Sequence, residues 1–543
     1  MTVDPITLEV VRSGVTTIAE EMRAILVRSA RAPLLKEAGD FSCALTDARG
    51  RLIAQGRDIP IHLGVMAFTV QEFLRRVPVE SVAEGDVYLT NDPEVGGNHL
   101  PDVKAITPVF VGGRLIAFAI CLAHWPDIGG ARAGSYVPFA RDIHMEGLVI
   151  PPVRIASREG PRREILDLIF ANVRGREERE GDLLAQCATN EVASRRIVEM
   201  CHRFGVEVVV NCFQRFQDES ESLMRLEIRR LPEGTYAGED FLDDDAAGGD
   251  PVPIRVAVTI KDGAMNFDFS GTAPQIPGPL NATRFVAASA VYYCCRAVCG
   301  PEIPANEGCY RPISVSIPAG AVLNPAPDAP VVGGNHETSQ RVVDAVMRAL
   351  AQAVPERITA GATTTSGILI FSGRRGERPF IFYEAHGGGE GGHAHRDGTS
   401  AVRNHMTNVM NTPAEVVEAE YPLRVESHTL RPGSFGPGRH RGGLGLRRAY
   451  RVLAETAELT TMAERCRIAP WGFRGGQDGQ TMRIWLIRDG QRRALGGKEV
   501  LTLRRDDVVE VESCGGGGYD PPEARPADLH RDDVREGYVD GEA

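Results

Sequence analysis

The chain has 543 residues, 43% hydrophobic and 25% charged, the composition of an ordinary folded globular protein. Its 61 Lys and Arg against 73 Asp and Glu give a net charge of −12, which argues against nucleic acid or an anionic membrane surface as the main partner. No apolar run reaches the ~18 residues of a membrane span, and the amino end lacks the basic and apolar segments of a secretory signal. The 11 cysteines show no metal-finger spacing, so a cytoplasmic location with reduced thiols is expected.

In chain order, Asp4 and Pro5 open a helix whose apolar residues, from Ile6 through Val15 to Leu26, recur at three- and four-residue steps. Asp40 to Leu45 and Arg51 to Ala54 read as strands around the turn at Asp47–Gly50. Val65 to Arg76 reads as a second helix, and the block after Gly85 is rich in strands. Residues 163–230 turn helical again, with one long periodic stretch from Asp182 to Phe216. Beyond Leu231, short strands and glycine turns alternate with helices near Phe285–Val298 and Ser339–Ala353. The expected fold is α+β, an integrated multi-unit chain with mixed and antiparallel sheets. Its regions are 1–230, a central 231–425 and a β-rich 426–543 ending in a polar tail.

Within the first region, Val103–Val111 and Arg114–Ala123 are β-like and separated only by Gly112–Gly113, the signature of a tight hairpin. In ideal register Asp102 lies across from Ala123 and His124 across from Pro101. His99, Asp102 and His124 then converge at the open end of the hairpin, although they stand 25 residues apart at the extremes. Two imidazoles and a carboxylate on a rigid scaffold read either as a three-ligand metal site with an open position or as polar residues satisfying backbone groups in a turn-rich loop. That register puts Asp102 and His124 on opposite faces, so the site needs either a bulge or a strand that ends at Pro101. Asp40 and Asp127 are candidate fourth ligands or general bases. His62 and Glu146 sit in similar polar, glycine-flanked surroundings, as supports of the site or as structural hydrogen-bonders.

His386 to His395 contains the run Gly387, Gly388, Gly389, which reads either as an anion cradle of successive N–H groups or as a loose surface loop. No GxxxxGK[ST] phosphate loop and no GxSxG elbow occur in the sequence.

Several stretches resemble the hydantoinase B family, which spans N-methylhydantoinases, 5-oxoprolinases, caprolactamases and the large subunits of acetone and acetophenone carboxylases. They include Asp40–Ala44, Ile61–Gly64, Asn91–Pro93 through His99–Asp102, Ala123–His124, Asp127–Gly130 and Glu146–Leu148. Farther along come Asn172–Arg174, Asp268–Thr272, Gly334–Asn335, Glu337–Thr338, Asn411–Pro413, Arg441–Gly445 and Gly515–Tyr519. The resemblance implies a divalent metal (Zn, Mn or Fe) on His99, Asp102 and His124. It implies a HyuA-like ATPase subunit as partner, binding the ATP and phosphorylating the amide oxygen of a small cyclic amide, and a homodimer within a hetero-oligomer. Metal-activated water would then open the ring on this chain, with Asp40 as base or fourth ligand. His62 and Asp127 would orient the ligands, and Glu146 would support the same pocket. The alternatives are a ketone carboxylase subunit and a non-catalytic, metal-stabilised scaffold for the ATPase. One departure is Trp125 after His124, where many relatives carry a second histidine.

Overall fold

The computed structural model describes residues 3–539. Helix α1 (Pro5–Ser29) starts as its sequence demands: Asp4 Oδ1 accepts the N–H groups of Ile6 and Thr7, and Pro5 fills the first turn, where no N–H is needed. Helix α2 covers Val65–Arg76. The expected long helix from Asp182 is divided by Gly205, at φ +87°, into α3 (Arg176–Phe204) and α4 (Val206–Ile228).

A seven-stranded antiparallel sheet organises the first region. Its strands are β1 (Phe41–Asp47), β2 (Leu52–Gln55), β3 (Val87–Thr90), β4 (Asp102–Val111), β5 (Arg114–His124), β6 (Val153–Ser157) and β7 (Gly160–Pro161), in the order β2-β1-β5-β4-β3-β6-β7. The central strands are buried on both faces. Phe41, Cys43, Val103, Ala105 and Cys121 pack against α1 and α3 through Val11, Val15 and Ile197. Ala44, Ile106, Phe118, Ile120 and Leu122 face the other way, into a larger core. That core also takes in Val286 and Val291 of α5 (Arg284–Cys299), Val342 and Val346 of α6 (Ser339–Leu350), and Met462 and Trp471. One core therefore joins side chains from all three expected regions.

Beyond the first sheet, β8 (Gly234–Leu242), β9 (Val252–Lys261), β10 (Ala264–Asp268) and β11 (Ile313–Ser316) form a mixed sheet, with β10 and β11 parallel. Two antiparallel sheets complete the fold. One contains β12 (Ile368–Arg375), β13 (Arg378–Glu384), β16 (Thr456–Met462) and β19 (Lys498–Arg504). The other contains β14 (Leu423–Arg431), β15 (Gly445–Val452), β17 (Arg483–Arg488), β18 (Gln491–Leu495) and β20 (Val508–Glu512). The architecture is α+β with mixed and antiparallel sheets, as expected.

The glycine runs are buried, so they do not form a loose surface loop. The N–H of Gly388 is bonded to Val402 O and that of Gly389 to Cys514 O. Gly443 N–H meets Glu390 O and Gly516 N–H meets Gly443 O, so three extended segments lie backbone to backbone. A Cβ on Gly389 would stand 2.0 Å from Gly443 O, and one on Gly516 would stand 1.9 Å from Glu390 O. Glycine is required there for close backbone approach, and the N–H groups of Gly388 and Gly389 are already used.

Candidate metal centre

The hairpin register differs from the ideal one by a single residue. Val111 pairs with Arg114 and Phe110 with Leu115, but Val109 pairs with Ala117, which leaves Ile116 as a bulge. From there to the open end the register is shifted, and Asp102 pairs directly with His124. Cross-strand partners share a face, so the bulge removes the conflict between the two ligands. On the other side of β5, His124 N–H donates to Asp40 O, just before β1. Asp40, His124 and Asp102 thus stand in a row across three strands, while His99 enters from the turn before β4, where Asp102 N–H donates to His99 O.

His99, Asp102 and His124 are fully buried, and one ligand atom from each lies within 4.8 Å of the others. Asp102 Oδ1 is 3.3 Å from both His99 Nε2 and His124 Nδ1. His99 Nδ1 donates to Val332 O at 3.1 Å; a carbonyl only accepts, so the proton is on Nδ1 and the Nε2 lone pair faces the cluster. Asp102 Oδ2 and His124 Nε2 are buried with no hydrogen-bond partner. Unpaired buried polar atoms cost about 1–3 kcal/mol each, so two of them on adjacent groups are what a metal site stripped of its ion would leave. Two imidazoles and a carboxylate suit Zn, Mn or Fe equally.

The local electrostatics favour the ligand forms of Asp102 and His99, and favour the protonated ring on His124. Burial opposes charge on Asp102, but the imidazoles of His99, His124 and His62 outweigh it and hold its pKa well below the usual carboxylate range. Burial pushes the pKa of His99 down, toward the neutral ring that binds metal. Burial also acts against charge on His124, yet the carboxylates of Asp40 and Asp102 overcome it and raise its pKa.

His62 ends a one-turn helix, Pro60–His62. Its Nδ1 lies 2.8 Å from Ser42 Oγ, and its Nε2 lies 3.4 Å from Asp102 Oδ2. Asp40 Oδ2 sits 3.9 Å from His124 Nδ1, and Asp40 lines a cavity of about 30 Å³ together with His62, His99 and His124.

Asp127, a candidate ligand or general base, and Glu146, a candidate support, do not line the cavity. Asp127 accepts four bonds, from the N–H groups of Gly129, Gly134 and Arg174 and from Arg174 Nη1, so its oxygens are spent folding the loop that ends at Tyr136. Glu146 accepts from Val331 N–H and Val332 N–H, at 3.0 and 2.9 Å. Because Val332 O in turn receives His99, Glu146 acts on the cluster only through that peptide; burial pushes its pKa up to about 8.

Several lining residues carried no sequence assignment as site residues. Asn335 Nδ2 donates toward His99 Nε2 at 3.1 Å. His336, beside it on the π-helical turn Gly334–Thr338, packs 5.2 Å from the ring of Tyr136, and burial drives its pKa down to about 3. Tyr136, Tyr383 and Arg403 complete the wall. Asn335 falls inside a quoted family motif, which was the one available signal.

A family model for hydantoinase B/oxoprolinase matches residues 4–522. The chain belongs to this family. It is 32% identical to the caprolactamase subunit beta of Pseudomonas jessenii, over 99% of this chain and 94% of that one. It is 33% identical to 5-oxoprolinase 1 of Arabidopsis thaliana over 95% of its own length, spanning 42% of the plant protein. The crystal structure of ATP-dependent caprolactamase from Pseudomonas jessenii superposes with a TM-score of 0.94 at 32% identity, over 99% of this chain and 95% of that one. A nucleotide-free acetone carboxylase structure matches with a TM-score of 0.92 at 20% identity, over 99% of this chain and 78% of that chain, a likeness of fold. Among the described residues no helix is long and apolar enough to cross a membrane.

Proposed function

We propose that this chain is the ring-opening subunit of an ATP-dependent cyclic amide hydrolase. Its partner would be a HyuA-like ATPase that phosphorylates the amide oxygen of a hydantoin, 5-oxoproline or lactam. The observation that carries this is the buried His99–Asp102–His124 cluster with its unpartnered Asp102 Oδ2 and His124 Nε2, beside the cavity-lining carboxylate of Asp40. Kinship to a caprolactamase beta subunit and to oxoprolinases supports the substrate class.

An unstrained amide is a poor electrophile, and phosphorylation turns its oxygen into a leaving group. A divalent ion held by His99, Asp102 and His124 supplies Lewis acidity toward water and toward oxygen anions. Asp40 takes the proton of the water that adds to the activated carbon and returns it to the ring nitrogen as the C–N bond breaks, which leaves an acyl phosphate; a second water then displaces the phosphate and gives the open-chain carboxylate. Ser42 and His62 fix Asp102, while Val332, held by Glu146, fixes His99.

The test is co-purification with the ATPase partner, then ATP-dependent turnover of 5-oxoproline, a hydantoin and caprolactam. Ring opening that needs both chains and ATP is the expected result. Full turnover by the partner alone would reduce this chain to a scaffold. Bicarbonate-dependent ATP hydrolysis with acetone would make it a carboxylase subunit.

A further inference from the structure

Arginines in the interior of this protein are paired with carboxylates. Arg179 touches Asp182 at 2.9 Å, Arg441 touches Asp533 at 2.8 Å, Arg448 touches Glu384 at 3.0 Å and Arg465 touches Asp344 at 2.8 Å. A guanidinium withdrawn from water is costly without such a partner. Arg403, partly buried in the cavity wall, has no such partner. Its Nη1 donates to Ser366 O and its Nη2 to Thr407 Oγ1, both at 3.2 Å, and its Nε is buried with no partner. Among the described residues no carboxylate lies within contact distance of it; Asp40, Glu337 and Glu384 act on it only from farther away.

Its position is equally specific. Arg403 lines the same cavity as His99, His124 and Asp40. The hydroxyls of Tyr136 and Tyr383, 3.4 Å apart, belong to the same wall, and burial raises the pKa of both, so they remain neutral donors. The segment carrying Arg403 is held in a costly conformation. Ala401 and His405, on either side, take φ values of +60° and +57°, a left-handed backbone that costs a non-glycine residue about 1 kcal/mol or more. Ala401 N–H to Leu444 O and Tyr293 OH with His405 Nδ1 pin the two ends. Those contacts hold the segment, and the bonds to Ser366 and Thr407 hold the guanidinium at the cavity wall.

We infer that Arg403, with the Tyr136 and Tyr383 hydroxyls, forms an oxyanion subsite that receives the negatively charged group of the incoming substrate beside the metal cluster. An arginine presents planar paired donors that match phosphate and carboxylate alike, and it stays charged when buried. Two anionic groups fit this chemistry: the phosphoryl group of an activated amide, and a carboxylate borne by the ring itself. The subsite rests on the ring-opening function proposed above.

The experiment uses Arg403→Gln and Arg403→Lys in the complex with the ATPase partner, assayed with 5-oxoproline and with uncharged caprolactam. Alongside, calorimetry reads inorganic phosphate binding to the purified chain. Arg403→Gln is expected to lose roughly 30- to 100-fold in kcat/KM with unchanged metal content and Tm, and Arg403→Lys to recover part of it. A loss with both substrates assigns the phosphoryl group; a rise in KM confined to 5-oxoproline assigns the ring carboxylate. Unchanged kinetics on both substrates overturn the subsite, as does a loss that tracks a fall in Tm without recovery by lysine. If the wild-type complex opens neither ring, the proposed function has failed, and phosphate binding decides the subsite independently. Binding by wild type and not by Arg403→Gln upholds it, whereas equal binding, or none by either, overturns it.

Discussion

Asp102 and His124 are direct partners across the β4–β5 hairpin, brought into register by the bulge at Ile116. Their shared face makes the cluster a property of the strands, with His99 the one candidate ligand supplied by a turn. Purified protein is therefore expected to carry about one divalent ion per chain, and Asp102→Ala or His124→Ala to carry almost none while keeping the wild-type circular dichroism. Elemental analysis checks this; either variant retaining a full complement of metal would remove the cluster from consideration.

Ser42 never touches a ligand, yet its hydroxyl lies 2.8 Å from His62 Nδ1, and His62 faces Asp102 Oδ2. Ser42→Ala leaves His62 free to turn, so Asp102 loses its orientation while all three ligands remain. Metal affinity should fall by about 10- to 100-fold, the usual effect of a lost outer partner. Competition with a chelator of known affinity measures it, and an unaltered dissociation constant would show that His62 is held by packing alone.

Asp40 is placed by backbone as well as by charge, since its carbonyl receives His124 N–H while its carboxylate faces the cavity. Asp40→Asn keeps the shape and removes the proton acceptor. Its kcat for ring opening should drop by ~10²- to 10⁴-fold, with metal content intact and the partner's ATP consumption continuing. A variant that loses metal in proportion to activity would instead make Asp40 a ligand.

Much of this was legible in the residues. The capped first helix, the Gly112–Gly113 hairpin and the convergence of His99, Asp102 and His124 follow from local chemistry, and all three are found. The bulge is different. Strand β5 is buried on both faces from Ile116 to His124, so no polar alternation marks its register. Glycine runs have no periodicity either. What Gly389 needs is set by Gly443 and Gly516, far along the chain, and a sequence does not announce which backbones will meet. His336 and Arg403 reach the cavity through tertiary packing, on a π-helical turn and on a strained segment that carry no motif of their own.

Glu146 supplies a test that does not involve activity. It is fully buried, holds Val331 and Val332 by their N–H groups, and has its pKa raised by burial from 4.5 to about 8. The folded protein therefore binds a proton that the unfolded chain releases near 4.5. With more protons on the native state, stability falls as pH rises. The contribution is complete below about pH 4.5 and is lost progressively up to about pH 8, where burying the ionised carboxylate costs on the order of 5 kcal/mol. Glu146→Gln cannot ionise, and its amide oxygen still accepts one of the two N–H groups. Its Tm should decline less than that of wild type between pH 5 and 8, with the two curves converging or crossing toward the alkaline end. Parallel curves over that interval would mean that Glu146 is already ionised in the fold, stabilised by the two peptide N–H groups it accepts.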